Sequence, residues 1–277
     1  MRSWILLGLA VIALKGCGFV SGLTKEAVLS LTERKGRESF IFAGDLPANF
    51  MLQATTKYYA IEPELCQTYS LGLGRNVTRQ GYEHYDTGYA DQPHQFSFNV
   101  PLTKHIGRCS MQAYQVSFRI RGRYGEKDWQ THSSTGGIGI TATQPDGAPA
   151  FSPERAATMR GVCTWLFQIS PLYLELGKLL ICSETDESWE LAPEMIDRRS
   201  IGDTFGRDEL PGKTVFLEIR ENPLEEPSMY RRWIETANGW RPCSGTEKTD
   251  RCQNPPAFKT FEMNGEECTV YPGCKER

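Results

Sequence analysis

The stretch GYEHYDTGYADQPHQF, residues 81–96, holds His84, Asp86, Asp91 and His94, half of the chain's 4 histidines among them. Imidazole and carboxylate are ligands for zinc or non-haem iron, and such a centre needs three of them to converge. Nothing in the spacing makes these four converge. The tyrosines between them, Tyr82, Tyr85 and Tyr89, suit a polar loop between strands that binds protein, because tyrosine buries much area at small entropic cost. No metal site is assigned. Glu184, Asp186 and Glu187 follow Cys182, and Asp208 adjoins Glu209. Paired carboxylates carry glycoside hydrolysis, but the sequence does not set their separation, and they read as solvated turns. No G-x-S-x-G, H-E-x-x-H, P-loop or G-x-G-x-x-G occurs. The chain is expected to be no enzyme, with no catalytic residue and no cofactor. Arg119, Arg121 and Arg123 alternate along YQVSFRIR and beyond it, opposite the apolar side chains. They form a basic stripe that either docks an acidic partner or lipid headgroups, or guards a sheet edge with charge.

Nine cysteines are present. Cys17 ends the stretch VIALKGC, and the other eight are Cys66, Cys109, Cys163, Cys182, Cys243, Cys252, Cys268 and Cys274. An even set of eight in an exported chain points to up to four disulfides. Zinc is disfavoured because no C-x-x-C pair occurs. Cys163 and Cys182 flank a chain reversal near Pro171 to Gly177 and can face each other across an antiparallel pair. Cys66 with Cys109 would then tie an early strand to the strand at 110–121. The last four staple a C-terminal unit too small for a good core of its own, which must pack on the body.

These residues need elements to position them. SFIFAGD (39–45), HQFSFNVPL (94–102), YQVSFRIR (114–121) and TVFLEIR (214–220) alternate apolar and polar residues, the mark of strands with one buried face. In YQVSFRIR the expected inward set is Tyr114, Val116, Phe118 and Ile120. GGIGITAT (136–143) is a weaker strand, and CTWLFQIS (163–170) and KLLICS (178–183) are apolar enough for central strands. In FKTFEMNGEECTVYP (258–272), Asn264-Gly265 predicts a type I′ hairpin with Phe261 opposite Cys268. Helices are few: one from Thr24 to Gly36, a short one from Ser152-Pro153-Glu154 through Met159, and weaker ones at 193–199 and 228–235. The expected fold is mainly β, an antiparallel β-sandwich-like body with a small disulfide-stapled C-terminal hairpin unit. The expected division is a leader at 1–16, a tether at 17–37 with room for the helix, a β-rich body at 38–236 and a Cys-rich appendix at 237–277.

The chain has 277 residues, 39% hydrophobic and 23% charged, with a formal charge of −3. Losing Arg2 and Lys15 with the leader would leave −5. That balance disfavours nucleic acid as a partner. Asn76-Val77-Thr78 is a glycosylation sequon that matters only in a eukaryotic secretory pathway.

Arg2 and the apolar run Trp4–Leu14 fit a secretory leader, and the run is too short to span a bilayer. Leu14-Lys15-Gly16-Cys17 resembles the bacterial lipobox, with Leu14 at −3, Gly16 at −1 and Cys17 at +1. Lys15 departs from the small or apolar residue usual at −2. The resemblance implies lipidation at Cys17 with three acyl chains, enough for a stable anchor. Gly18 after the cysteine implies the outer membrane, facing the periplasm; a soluble periplasmic or secreted protein is the alternative. RYGEKDW (123–129), CTWLFQIS and FKTFEMNGEECTVYP are similar to segments of Gram-negative envelope lipoproteins found beside type VI secretion phospholipase effectors. Several proteins of that kind are immunity proteins. The resemblance implies a protein partner, a cognate lipase-type toxin, that this chain would bind and neutralise. Tyr82, Tyr85, Tyr89, Arg119, Arg121 and Arg123 are the candidate contacts, with Trp233 and Trp240 as further aromatic anchors. A structural or assembly lipoprotein of the envelope is the second reading, and an envelope hydrolase or metal-dependent enzyme the third.

Overall fold

The computed structural model describes residues 32–172 and 174–274. The leader, the lipobox-like Leu14, Gly16 and Cys17, and most of the expected helix from Thr24 lie outside the described residues.

In chain order the strands are β1 (Arg34–Lys35), β2 (Ser39–Leu46), β3 (Phe50–Ala60), β4 (Gln67–Ser70), β5 (Arg75–Thr78), β6 (Gly81–Asp86), β7 (His94–Pro101), β8 (Thr103–Ile106), β9 (Cys109–Arg123), β10 (Thr131–Thr141), β11 (Ala156–Ile169), β12 (Leu176–Thr185), β13 (Gly202–Gly206), β14 (Thr214–Glu221), β15 (Glu226–Pro227), β16 (Trp233–Thr236), β17 (Gly239–Pro242), β18 (Phe261–Met263) and β19 (Glu266–Cys268). Four short 3-10 turns are the only helical elements among the described residues.

Two sheets face each other. In the first, β3 runs along one edge of β9, with β6 outside it, while β8 and β10 share the other edge of β9. The second has the order β12-β11-β14-β2-β7. The sequence dictates this layering through its period of two. Phe40, Phe42 and Leu46 of β2, Val215, Leu217 and Ile219 of β14, and Val116, Phe118 and Ile120 of β9 all enter one buried core. Across the interface the Phe42 ring lies 5.6 Å from Phe118, and beside it 5.3 Å from Phe96. Fully burying a side chain of this size contributes roughly 1.5–3 kcal/mol. The pairing is mostly antiparallel, as expected, but β14 is parallel to both β11 and β2, and β13 is parallel to β10.

Several local expectations are corrected. Ser152-Pro153-Glu154 opens a turn, not a helix. Arg155 N donates to Ser152 O at 2.8 Å, and Arg155 has φ 64°, which stops any helix there. Ala157 and Met159 then point into the core as part of β11. Arg34 and Lys35 pair with His105 and Lys104, so the last turn of the expected N-terminal helix is a strand. Within 193–199 only Met195–Asp197 is helical, as a single 3-10 turn, and 228–235 holds a 3-10 turn at Tyr230–Arg232 before β16. Tyr114 faces outward, 40% exposed, because the β3–β9 register shifts between Lys57 and Tyr58. That bulge leaves Tyr114 unpaired and reverses the alternation on either side of it. KLLICS is an edge strand, not a central one. Its outward amides are satisfied by β10 side chains: Leu180 N donates to His132 Nδ1 and Cys182 N to Ser134 Oγ, both at 3.0 Å.

Four disulfides join Cys66 to Cys109, Cys163 to Cys182, Cys243 to Cys252, and Cys268 to Cys274. Cys163 and Cys182 are directly opposite in the β11–β12 ladder. The Asn264-Gly265 hairpin forms with φ 54° and 79° at its two turn residues and Phe261 opposite Cys268. β11 outruns the first sheet, and Phe167 near its end is covered by the C-terminal unit instead. Its ring lies 4.9 Å from Trp233 and 4.5 Å from Tyr271. The β16–β17 hairpin spans the expected boundary at 236–237, so Trp233 belongs to this second core.

Candidate binding surface

Of the residues singled out above, the outer face of the first sheet carries Tyr82, His84, Asp86, Arg119 and Arg121. Its strand registers set out polar rows. Asp86, Gln53, Arg119 and Thr135 stand side by side on β6, β3, β9 and β10. The next row is His84, Thr55, Ser117 and Gly137, and beyond it Tyr82, Lys57, Gln115 and Gly139. A shallow hollow of about 430 Å³ lies over the first two rows, lined by Gln53, Thr55, His84, Asp86, Ser117 and Arg119 among others. The small residues on β10 leave this side of the face low.

Neighbours on this face already bond one another. Gln53 Nε2 donates to Asp86 Oδ2 at 2.8 Å, Thr55 Oγ1 and His84 Nδ1 are 3.0 Å apart, and Lys57 Nζ donates to Gln115 Oε1 at 3.0 Å. Arg119 and Arg121 are different. Neither has an ion pair or a side-chain hydrogen bond among the described residues. Arg119 is exposed and Arg121 half-buried. Two unneutralised guanidiniums two residues apart make this face locally positive on an acidic chain.

Arg123 continues the stripe but is committed. It pairs with Asp91, its Nε donates to Asn49 Oδ1 at 3.1 Å, and its guanidinium lies 5.2 Å from the Tyr89 ring centre. It forms the rim of a second hollow of about 770 Å³, which Tyr124, Trp165, Glu221 and Glu225 also line. The carboxylates of this hollow are engaged. Glu221 accepts from Trp165 Nε1 at 2.9 Å, and Glu225 takes Lys178 Nζ at 2.8 Å and the Tyr271 hydroxyl. Partial burial raises the Glu221 pKa; the Trp165 bond opposes this, and the Glu225 charge adds to it. The group fastens β12 and the loop after β14 to the C-terminal unit, and it presents no free acid–base pair.

The three tyrosines divide. Tyr82 is exposed on the outer face, 47% of it open to solvent. Tyr85 points the other way, stacking on Phe98 at 4.9 Å and donating to Asn99 O at 3.2 Å. Its place on the strand, one residue from Tyr82's parity, turns it inward, and burial followed by the Glu83 charge pushes its pKa up. Tyr89 lies beneath Arg123, with its hydroxyl buried and unpaired. Residues 81–86 are therefore a strand whose polar outer residues resemble a loop in sequence. Trp233 is buried and Trp240 partly buried in the C-terminal core, so neither serves as a surface anchor.

His84, Asp86, Asp91 and His94 do not converge. Asp86 bonds Gln53 and Gly88 N, Asp91 pairs with Arg123, and His94 Nδ1 is 3.3 Å from Gln92 O. Among the described residues no three His, Cys, Asp or Glu side chains are grouped to hold a metal ion. Asp186 accepts from Ser188 N and Oγ in a tight turn, which lowers its pKa.

Sequence reading missed the β3 residues Gln53, Thr55 and Lys57, which only register places beside Arg119, Ser117 and Gln115. It also missed two buried lysines. Lys104 pairs with Glu33 at 2.5 Å and Glu83 at 3.5 Å, and Lys178 pairs with Glu225. No single residue type announces either, since lysine is almost always exposed.

Fold and surface together define a disulfide-tied, mainly β protein with one positive, polar sheet face. No family model, curated protein or solved structure matches the chain.

Proposed function

We propose that this chain is an exported binding protein. It would be held by lipid at Cys17 on the periplasmic side of the outer membrane, and it would neutralise a secreted lipase-type toxin by docking it on the outer face of β6, β3, β9 and β10. The observation that supports this reading best is the pair Arg119 and Arg121, unpartnered on an exposed and otherwise self-satisfied face. Arginine and tyrosine are common anchors of tight interfaces, and Tyr82 stands on the same face. An acidic patch on the toxin is the complementary surface. Four disulfides and a two-sheet core make a scaffold that needs little ordering on binding, which favours affinity. The finer points, lipid at Cys17 and the toxin class, rest on the lipobox-like and segment resemblances.

Growth tests the reading. Deleting the gene should leave cells healthy by themselves and sensitise them to neighbours that deliver the toxin. Weakening of the envelope in cells grown alone would instead favour an assembly role.

A further inference from the structure

The hairpin of β4 and β5 pairs only with itself. At its turn Leu71 and Leu73 are 57% and 62% exposed, with Tyr69 beside them at 54%. At its foot Ile61 and Leu65 are also exposed. A side chain added at Gly72 or Gly74 would meet nothing within 4 Å, so the tip stands in open space. Single exposed leucines need no explanation, but a run of large apolar side chains on one corner does.

The described chain begins at this same corner. Gly107 N, in the turn between β8 and β9, donates to Thr32 Oγ1 at 2.8 Å. Cys109 follows, and its disulfide leads to Cys66, the residue before β4. Thr32, the first described residue, thus sits near the foot of the apolar hairpin. The hairpin holds Arg75, with Arg79 just after it and no carboxylate, and Arg108 is exposed in the β8–β9 turn. Glu62, as its N-cap, and Glu64 belong to the 3-10 turn that ends at Cys66, at the foot of the hairpin and not at its tip.

We propose that the β4–β5 hairpin is a membrane contact, with Leu71 and Leu73 entering the acyl boundary of an anionic bilayer while Tyr69 and Arg75 meet its headgroups. Apolar tips flanked by an aromatic and basic residues partition in this way, and each basic residue near an anionic surface adds attraction. The contact goes beyond the binding function proposed above and does not need it. It does give a lipid at Cys17 a purpose for orientation. A lipid is a single point of attachment, and a second contact at the hairpin would fix which way the sheet faces.

Hydrogen exchange of the full chain, read by mass spectrometry, tests this. The comparison is between solution and vesicles of phosphatidylethanolamine with one third phosphatidylglycerol. The chain and its tip variant share the same N-terminal residues, so a difference between them at the tip amides reports the tip itself. The amides of residues 70–75 should exchange several-fold more slowly on vesicles, and L71N/L73N should restore the solution rate there. Unchanged protection across β9 and β11 would show that the variant is folded. Equal tip exchange with and without vesicles would overturn the proposal. So would protection that appears only when a captured protein partner is added. No partner is present in the main comparison, so failure of the toxin reading does not affect its outcome.

Discussion

Arg119 and Arg121 owe their freedom to their rows. Arg119 stands between Gln53 and Thr135, Arg121 between Met51 and Ser133, and none of these carries a charge. Arg123, two residues on, reaches Asp91 and is spent. The same alternation that buries Val116, Phe118 and Ile120 therefore delivers two usable cations and one structural one. A different residue sets a pH dependence. Partial burial, then the Glu184 charge, raises Asp203 from 3.8 to about 6. The folded state holds that proton more tightly than the unfolded chain, so the contribution of Asp203 to stability is fully present below about pH 4 and is lost as pH rises through about 6. Solvent still reaches the side chain, which discounts the effect to on the order of 1 kcal/mol. Asp203→Asn should raise the melting temperature at pH 7.5 by about 2–4 °C and change it little at pH 4. Thermal melts at the two pH values check this.

At the scale of elements, the disulfides define the order of local constraint. Cys66–Cys109 closes 43 residues and Cys163–Cys182 closes 19, while the C-terminal bridges close 9 and 6. Loop entropy gives about 4 kcal/mol for the first, about 3 for the second and about 2–3 for each of the others. Replacing both cysteines of each bridge by alanine should destabilise in that order, measured by denaturant unfolding. An inverted order would mean that packing at the bridges outweighs restriction of the unfolded chain. Legibility also divides by element. β2, β7, β9 and β14 were readable because one face is apolar nearly throughout, and the β18–β19 hairpin because Asn-Gly suits its turn. β3 was not, since its inward face includes Ala54, Thr56 and Ala60 beside Leu52 and Tyr58, which dilutes the alternation. β6 turns Gly81, Glu83 and Tyr85 inward and shows no apolar period. The parallel pairing of β14 with β11 and β2 joins distant segments, and local pattern carries no signal for it. On the candidate surface the arginines were legible and their neighbours were not, because neighbours across strands are a matter of register.

At the scale of the molecule, two cores meet at β11. The sandwich fills one face as far as Trp165, and the C-terminal unit takes over at Phe167. Phe167→Ala should cost about 3–5 kcal/mol and loosen the C-terminal unit before the sandwich, seen as early proteolytic cleavage within 230–274. Uniform loss of protection across both cores would contradict that order. The central claim concerns the sheet face, and affinity capture tests it most directly. The tagged full chain, R119E/R121E and the control R251E, whose arginine is exposed on the C-terminal unit, would be expressed in the source cells with the toxin-bearing strain present. Bound proteins would then be quantified by mass spectrometry. The account predicts one stoichiometric partner that R251E retains and R119E/R121E loses at least tenfold, with the melting temperature of that variant close to wild type. The same partner held equally by all three chains would contradict it.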